Sequence, residues 1–189
     1  MSGRVGMEWI AIGALVVAVW LGIVAYRLYA LRWRASRALD DLDRQLKRRH
    51  ALIPALVEAV RRTGGEHAAV GAVIQARNAA VSAQGLNQQA ASEGVLHEAL
   101  GRLVALGQGI PALRASADIQ ALQEDLVRIE AGLTAARRTF NNAVAAHNEA
   151  IATRSAGLVA GPLGYRPLTF FDVGETQRQA LDAPPSPYF

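Results

Sequence analysis

The chain has 189 residues, of which 51% are apolar, only 6% are aromatic and none is cysteine, so disulfide frameworks and thiolate metal sites are excluded. Its net charge of +4 comes from one basic block between Arg27 and Arg62, where ten Lys and Arg accompany four Asp and Glu. No aromatic platform or binding motif accompanies this charge, so we expect no nucleic-acid partner. Because Ala, Leu and Val dominate the apolar residues, the composition predicts an all-α protein.

The apolar stretch near the N-terminus predicts a membrane anchor. Trp9–Tyr26 has no charge in 18 positions, and at 1.5 Å per residue about 20 residues match the roughly 30 Å hydrocarbon core. A cleaved signal peptide is the alternative, but the apolar core is long, an Ala-x-Ala site is poorly matched and arginines follow at once. A buried helix of a soluble protein would need a larger domain around it. We therefore predict an uncleaved anchor over residues 8–29, after a short N-terminus of residues 1–7.

The charges that flank this stretch predict its orientation. Arg27, Arg32, Arg34 and Arg37 follow it, whereas Arg4 and the α-amine precede it. The positive-inside rule then places the soluble part of the chain in the cytosol.

The first helix after the anchor has an apolar seam with two irregular positions. The seam has spacings of three, four and seven and consists of Ala35, Leu39, Leu42, Leu46, Ile53, Leu56 and Val60. Arg49 occupies a position that would otherwise be apolar, and Pro54 removes a backbone donor and clashes with the preceding turn. Together they predict a kink or local break over Arg49–Pro54. Thr63–Gly65 then ends the helix.

Three cations of this helix, Arg44, Lys47 and Arg48, lie three and four residues apart and so share one face, which we name the basic shoulder. A solvated face is one interpretation of it, and a contact for anionic lipid headgroups or an acidic partner is the other. The acidic residues nearby, Asp40, Asp41 and Asp43, are expected to pair with Arg37, Arg44 and Lys47.

Three further helices are predicted. The second spans Glu66–Ala83, and the polar stretch Gly85–Gly94 connects it to a third at Val95–Leu106. Gly107–Pro111 breaks the third helix, and a fourth runs over Asp118–Thr153. The fourth has the most regular stripe, with Ile119, Leu122, Leu126, Ile129, Leu133, Ala136 and Phe140 at alternating steps of three and four. Such stripes pack at about 20°, so residues 30–155 are predicted to form a long antiparallel bundle of three to four helices.

The C-terminal part loses the helical pattern. Residues 156–173 are rich in Gly and Pro but carry Leu158, Tyr165, Phe170 and Phe171, so this segment either folds back on the bundle or waits for a partner. Tyr165, Phe170 and Phe171 are candidate contacts to lipid or a partner. Residues 174–189 are predicted to form a mobile tail.

Four stretches carry a resemblance to a known family: QLKRRHALIPALVEAV (45–60), VIQARNAA (73–80), LQEDLVRIEAGLTAARRTFNNAVAAHNEAI (122–151) and LVAGPLGYRPLTFFD (158–172). In this order they resemble the LemA family of bacterial membrane-anchored helical proteins, over nearly the whole range from Trp9 to Asp172. The resemblance implies an antiparallel bundle behind one transmembrane helix in the bacterial inner (cytoplasmic) membrane. It implies no enzymatic activity, since none is assigned to the family.

The chain departs from the family pattern at a few positions. The family usually has aromatic residues at the positions of Ile110, Phe140 and His147, of which Phe140 is only a mild change, and a Phe-Pro pair at Arg154–Ser155. His147 lies on or beside the apolar stripe of the fourth helix, so we expect a partly buried, hydrogen-bonded histidine. Arg154–Ser155 removes a proline stop, which allows the last helix to run on.

Motifs of catalysis and metal binding are absent from the sequence. It contains neither a glycine-rich phosphate loop nor a Gly-x-Ser-x-Gly turn, and His50, His67, His97 and His147 are far apart, without metal-ligand spacing. His97–Glu98 begins a zincin-like pattern, but Gly101 stands where its second histidine belongs. We therefore expect a protein that is not an enzyme and binds no cofactor or metal.

The leading hypothesis is a membrane-anchored helical scaffold or adaptor that contacts anionic lipid or a protein partner near the bilayer. A self-assembling structural protein that organises or remodels membranes is the alternative, with copies joined through Gly13, Ala14 and Ala18 of the anchor. A further alternative is an accessory subunit of a membrane complex.

Overall fold

The computed structural model describes residues 2–62 and 68–172, and over these ranges it is helical and has no strand. The helices are α1 Ser2–Arg62, α2 Ala68–Ser82, α3 Leu86–Gly109, α4 Pro111–Arg114, α5 Ala117–Ala152 and α6 Arg154–Ala160. The prediction of an all-α protein is thus confirmed. The chain divides into two compact units, to which α1 and α5 both contribute. Among the described residues, the anchor unit comprises residues 2–37 and 142–168, and the helical body comprises residues 38–62, 68–141 and 169–172.

In the helical body, α5 runs antiparallel to α1 and α3. Gln45 of α1 lies against Gly132, whereas Arg62, further along α1, reaches back to Asp118 at 3.9 Å. In α3, His97 contacts Glu130, while the later Gly107 lies near Gln123. The predicted antiparallel bundle is therefore present, with α4 as a single turn between α3 and α5.

The body core combines residues from α1 to α5. They are Ile53, Leu56, Val57, Ala59, Val60, Val70, Val73, Ala76, Ala80, Leu96, Ala99, Leu100, Leu103, Val104, Leu113, Ile119 and Leu126. Ile53, Leu56 and Val60 of the predicted α1 seam lie in this core, and Leu42 and Leu46 of the same seam are buried as well. In α2 the buried face continues from Val73 through Ala76 to Ala80, and Val81 is exposed.

The predicted polar connection Gly85–Gly94 is wrong, because α3 begins at Leu86. Ala90, Glu93 and Gly94 lie on the buried face of α3, and a glutamate and small residues in core positions concealed the helical period in the sequence. The α2–α3 connection is residues 83–85 only, and Gly85 has a φ of +80°, which glycine adopts without steric cost.

The local break predicted at Arg49–Pro54 does not occur, since α1 is helical on both sides of the exposed Pro54. Pro54 has no N–H, so the carbonyl of His50 lacks its usual donor four residues on. Arg77 of α2 supplies one, because its Nε donates to His50 O at 2.9 Å. A bend of α1 at this place stays a prediction, and Thr63–Gly65, Glu66 and His67 lie outside the described residues.

In the anchor unit, α5 ends at Ala152 and does not run on. Thr153 has an extended backbone (ψ 138°), and α6 starts at Arg154, so the helix stops here even without the family's proline. Ala156 and Ala160 of α6 are buried with Leu28 of α1, and Val24 packs against this cluster.

The segment after α6 folds back, which decides between the two alternatives for residues 156–172. In the anchor unit, the amide of Asn148 donates to Leu168 O at 2.9 Å and accepts from Leu168 N at 2.8 Å. In the helical body, Asn141 makes the same pair of hydrogen bonds to Phe171, at 3.1 and 2.9 Å. Two asparagines of α5 thus hold the segment through its backbone. The tail predicted at 174–189 lies outside the described residues.

Candidate functional site

The most unusual buried side chain of the helical body is Arg49, which is 1% exposed on the α1 seam between Leu46 and Ile53. Its Nη1 donates to Glu130 Oε1 at 2.8 Å, and its Nη2 bonds both the carboxylate of Glu93 and the Glu93 carbonyl, the latter at 3.1 Å. The guanidinium thus joins α1 to α3 and α5 through two charge-assisted contacts.

Each carboxylate also contacts one histidine. His50 Nε2 lies 2.7 Å from Glu93 Oε1, and His97 Nδ1 lies 3.3 Å from Glu130 Oε2. Glu93 and His97 are four residues apart and therefore share one face of α3. We name the five residues Arg49, His50, Glu93, His97 and Glu130 the Arg49 cluster.

The cluster keeps both carboxylates ionised at neutral pH. Burial by itself raises the pKa of Glu130, but the hydrogen bond from His97 and the charge of Arg49 outweigh it and lower the pKa to about 2. For Glu93, burial acts in the same direction and is outweighed by the hydrogen bond from His50 and by Arg49, so the pKa of this carboxyl is also lowered. Neither group is therefore set up as a proton donor near pH 7.

The geometry of the cluster suits internal charge compensation. The Arg49 guanidinium lies between the two glutamates, the place that a metal ion would take in a carboxylate-bridged site. Over the described residues, no three His, Asp or Glu side chains converge in a way that would hold a metal. A cavity of about 20 Å³ beside Arg49 has room for one water, and the buried Arg49 Nε has no hydrogen-bond partner in the described part of the chain.

Of this cluster, the sequence singles out only Arg49, as a charged residue in an otherwise apolar seam. That anomaly was the available signal, because a buried arginine requires acidic partners. Glu130 follows Leu126 by four residues and so lies on the buried side of α5. Glu93 lies in the stretch Gly85–Gly94, which the sequence predicts to be a polar connection. Their pairing with Arg49 spans 44 and 81 residues of chain.

The basic shoulder is exposed, as its helical face predicted. Arg44 is paired with Asp41, as expected. Arg48 lines an open groove of about 510 Å³ between α1 and α5, whose other lining residues include Leu52, Ile129 and Arg128. The structure thus adds Arg128, itself paired with Asp125, to the shoulder. Contact of the shoulder with lipid or a partner stays a prediction.

The three candidate aromatic residues are not brought together. Phe171, predicted as a candidate contact to lipid or a partner, is buried in the helical body, where it lines the small cavity beside Arg49. The reason is that Asn141 fixes its backbone against α5. Phe170 is exposed, and Tyr165 is half-buried in the anchor unit, where the Arg32 guanidinium lies 5.9 Å from the ring centre.

His147, expected to be partly buried, is fully buried in the anchor unit. Its Nε2 lies 3.4 Å from Arg166 O, its ring meets Tyr165 edge-on, and its Nδ1 has no hydrogen-bond partner among residues 2–62 and 68–172. Burial lowers the pKa of this histidine and the nearby charge of Arg32 adds to the effect, so the imidazole is neutral at pH 7.

The anchor unit also exposes the longest apolar surface. In the described part of the chain, one helix is long and apolar enough to cross a membrane: within residues 8–62, an 18-residue window has a mean hydropathy of 2.3 and is not buried. Its exposed side chains include Trp9, Ile10, Leu15, Val17, Val19 and Ile23. Four exposed arginines follow within 14 residues of Ile23, namely Arg27, Arg32, Arg34 and Arg37.

Comparison with known proteins relates the chain to one family. No curated protein matches it. The sequence model of the LemA family, however, matches residues 38–184, which include the whole Arg49 cluster and begin after the apolar N-terminal stretch. Because this match covers well over half of the 189 residues, the chain belongs to the LemA family.

Proposed function

We propose that the protein is a non-enzymatic scaffold that α1 anchors in a membrane, with the helical body held at the membrane surface for a protein partner. The observation that carries the proposal is the exposed apolar surface of residues 9–23. The side chains of this stretch are exposed at every turn of the helix, whereas soluble proteins rarely leave a contiguous apolar surface of this size uncovered.

The dimensions of the stretch support this role. Residues 8–29 would span about 33 Å at helical rise, against a hydrocarbon core of about 30 Å. Trp9 lies near one end and Tyr26 and Tyr29 at the other, and all three are exposed, as aromatic residues at membrane–water interfaces are.

The flanking charges support a cytoplasmic body and a contact with anionic lipid. Arg27, Arg34 and Arg37 are exposed, and each lies within about 12 Å of Tyr29 along the helix axis. This distance is comparable to the Debye length of about 8–10 Å, so their charges act on nearby lipid headgroups. Arg37 stacks on Trp33 at 4.1 Å, which places an aromatic ring and a cation together just after the anchor. Each such cation contributes about 1 kcal/mol of attraction to an anionic surface.

The body supports a structural role by its interior chemistry. Glu93 and Glu130 are committed to Arg49, so the titratable groups of the core tie three helices together. On the outside, a groove lined by Arg48, Arg128 and Asp125, with Leu52 and Ile129 among them, offers charged and apolar groups together to a protein partner.

The proposal is tested with the full-length protein in nanodiscs, first of neutral lipid alone and then with anionic lipid added. We expect the anionic lipid to raise the thermal unfolding temperature at low salt and the gain to disappear at high salt. The gain should be smaller in the Arg34→Gln/Arg37→Gln variant and unchanged in the matched variant Arg102→Gln/Arg114→Gln, whose arginines are exposed in the body.

Two further experiments test the anchor and its orientation. A protein recovered fully in the soluble fraction after expression in cells would overturn the anchor itself. A reporter fused after Phe189 that is active only outside the cytosol would overturn the orientation.

A further inference from the structure

We propose that α6 and the turn that follows it form a second membrane-contacting element, which inserts Leu158 and Leu163 into the interfacial layer of the bilayer. The inference rests on the proposed function, because it requires α1 to cross the membrane. It adds a surface far along the chain from the anchor sequence and commits to one partner, the lipid around the anchor.

The packing of α6 on the anchor determines its depth in the bilayer. Its Ala156 and Ala160 are buried against Leu28, and Val24 packs on the same cluster. Val24 and Leu28 belong to the apolar stretch of residues 8–29, and Val24 lies about 7.5 Å of helical rise before Tyr29. The layer between hydrocarbon core and water is about 5–8 Å thick on each side of a bilayer. With residues 8–29 across the core, Leu28 lies at its edge and Val24 about 6 Å further in, so a helix that packs on both lies at the boundary between the hydrocarbon and this layer.

The element also exposes apolar side chains beside the anchor. Leu158 is 76% exposed and Leu163 is 54% exposed, while Val159 and Ala160 are turned inward and buried. Every residue from Ala156 to Tyr165 is uncharged. The element thus has one apolar side packed on the anchor and a second apolar side that is uncovered beside it. Interfacial helices bury such a side about 5–10 Å into the headgroup and acyl boundary.

The backbone of the turn is compatible with that environment. Unbonded backbone groups are costly away from water, and here four amides of the element donate to carbonyls of residues 153–161. Gly157 N donates to Thr153 O at 2.8 Å, Leu163 N to Val159 O at 3.2 Å, Gly164 N to Gly161 O at 3.0 Å and Tyr165 N to Ala160 O at 2.9 Å. Pro162, between these residues, has no N–H to satisfy.

The polar border of the element lies where it would meet the headgroups. Tyr165 ends the uncharged stretch with the Arg32 guanidinium over its ring, and the exposed Arg166 follows directly. Tyrosine and arginine are both favoured at the membrane–water boundary, where an apolar body and a polar tip are satisfied together. The same order, apolar side chains first and then an aromatic ring and a cation, occurs in α1 from Val24 to Arg32.

The absence of cysteine from the chain allows a direct test. Single cysteines are introduced by Leu158→Cys and Leu163→Cys in the full-length protein, labelled with an environment-sensitive fluorophore and reconstituted in vesicles of neutral and anionic phospholipid. Val81→Cys, at an exposed apolar position of the helical body, serves as the water-facing control. Val19→Cys, in the middle of the apolar stretch, reports on the anchor itself.

We expect labels at 158 and 163 to be quenched by lipids with a nitroxide near the headgroup and to be several times less accessible to iodide than the label at 81. Labels as accessible to iodide as the one at 81 would overturn the inference. Protection from iodide without quenching by the nitroxide lipids would overturn it too, since a protein would then cover the element. The label at 19 is tested with lipids that carry the nitroxide on the acyl chain. If these lipids quench it while the labels at 158 and 163 are not quenched, the anchor stands and the inference fails. If they do not quench it, the proposed function fails as well.

Discussion

The helical body and the anchor unit place charge and apolar surface in opposite ways. The body buries a guanidinium and two carboxylates in its centre, and the anchor unit exposes an apolar helix surface from residue 9 to residue 23. Each arrangement is costly by itself, because buried charges lose hydration and exposed apolar groups order water.

The difference lies in where the compensation comes from. In the body, Arg49 finds Glu93 and Glu130 within the chain, so the cost is met by folding alone. In the anchor unit, α6 covers only the end of the apolar surface around Leu28. The rest requires an apolar environment that the described residues do not supply, which is the physical basis of the proposed membrane anchor.

Removing the buried cation should have the largest effect on stability. Arg49→Met leaves two carboxylates buried without their cation, so we expect a loss of about 3–5 kcal/mol in the free energy of unfolding. Denaturant unfolding of the full-length protein in mild detergent, followed by circular dichroism of the helices, measures it. The neighbouring Arg48→Met is a matched control, because Arg48 is exposed, and should change the free energy by no more than about 0.5 kcal/mol. Equal effects of the two substitutions would show that the Arg49 cluster does not hold the body together.

Placing a charge in the exposed apolar surface tests the other side of the comparison. Val17→Asp should disfavour membrane insertion by about 2.5–3.5 kcal/mol, since an aspartate near the centre of a spanning helix loses its hydration. Val81→Asp is the control, because the two valines are 55% and 58% exposed but Val81 lies in the helical body. The fraction of protein that stays with membranes after an alkaline wash should fall for the first variant only. Membrane retention that is the same in both variants would contradict an anchor role for this surface.

A third prediction concerns how the body compensates a backbone group instead of a charge. Arg77→Ala leaves the His50 carbonyl without a donor, and we expect a loss of about 1–3 kcal/mol. In a Pro54→Ala background the backbone N–H of residue 54 is restored, so the same Arg77→Ala change should cost less. A double-mutant cycle of unfolding free energies gives the coupling. Additive effects would mean that Arg77 stabilises the body in another way.

The smallest expected effect is a pH dependence in the anchor unit. Because the pKa of the buried His147 is lowered, the unfolded chain takes up a proton below about pH 6.5 more readily than the folded one. Stability should therefore fall as the pH drops from about 7 towards 5, by at most about 1.4 kcal/mol per pH unit. His147→Phe should flatten this range while stability is still lost below about pH 4.5, where Glu93 and Glu130 of the body begin to be protonated in the unfolded chain. A wild-type curve that is already flat between pH 7 and 5 would contradict the assignment to His147.

The sequence predicted the helices well wherever their faces are apolar. Leu42, Leu46, Ile53 and Leu56 recur at helical spacing and are buried as expected. The end of α3 at Gly109 lies within Gly107–Pro111, the stretch predicted to break this helix. The prediction failed at α3, because Glu93 and small residues occupy core positions there. It failed also at Pro54, because the donor that replaces the missing N–H is a side chain of another helix.

The candidate site was less predictable than the fold. Arg49 was recognised as out of place, but its partners lie on two other helices, and no local pattern specifies which glutamates meet it. For the same reason Phe170 and Phe171, adjacent in the chain, could not be assigned to opposite environments, one exposed and one buried. The difference depends on Asn141, whose side chain accepts a hydrogen bond from Phe171 N and holds this residue against α5.

What the sequence by itself determined was the set of local properties: an all-helical chain, an uncharged 18-residue stretch followed by arginines, and the seam that packs α1 into the body. These follow from periodicity and composition, which act over a few neighbouring residues. Only the tertiary structure decided that Arg49 balances Glu93 and Glu130, and that α6 lies on the last turns of the apolar stretch. Both depend on which helices are neighbours, because charge pairing and side-chain burial are set by distances in space between residues that are remote in the chain.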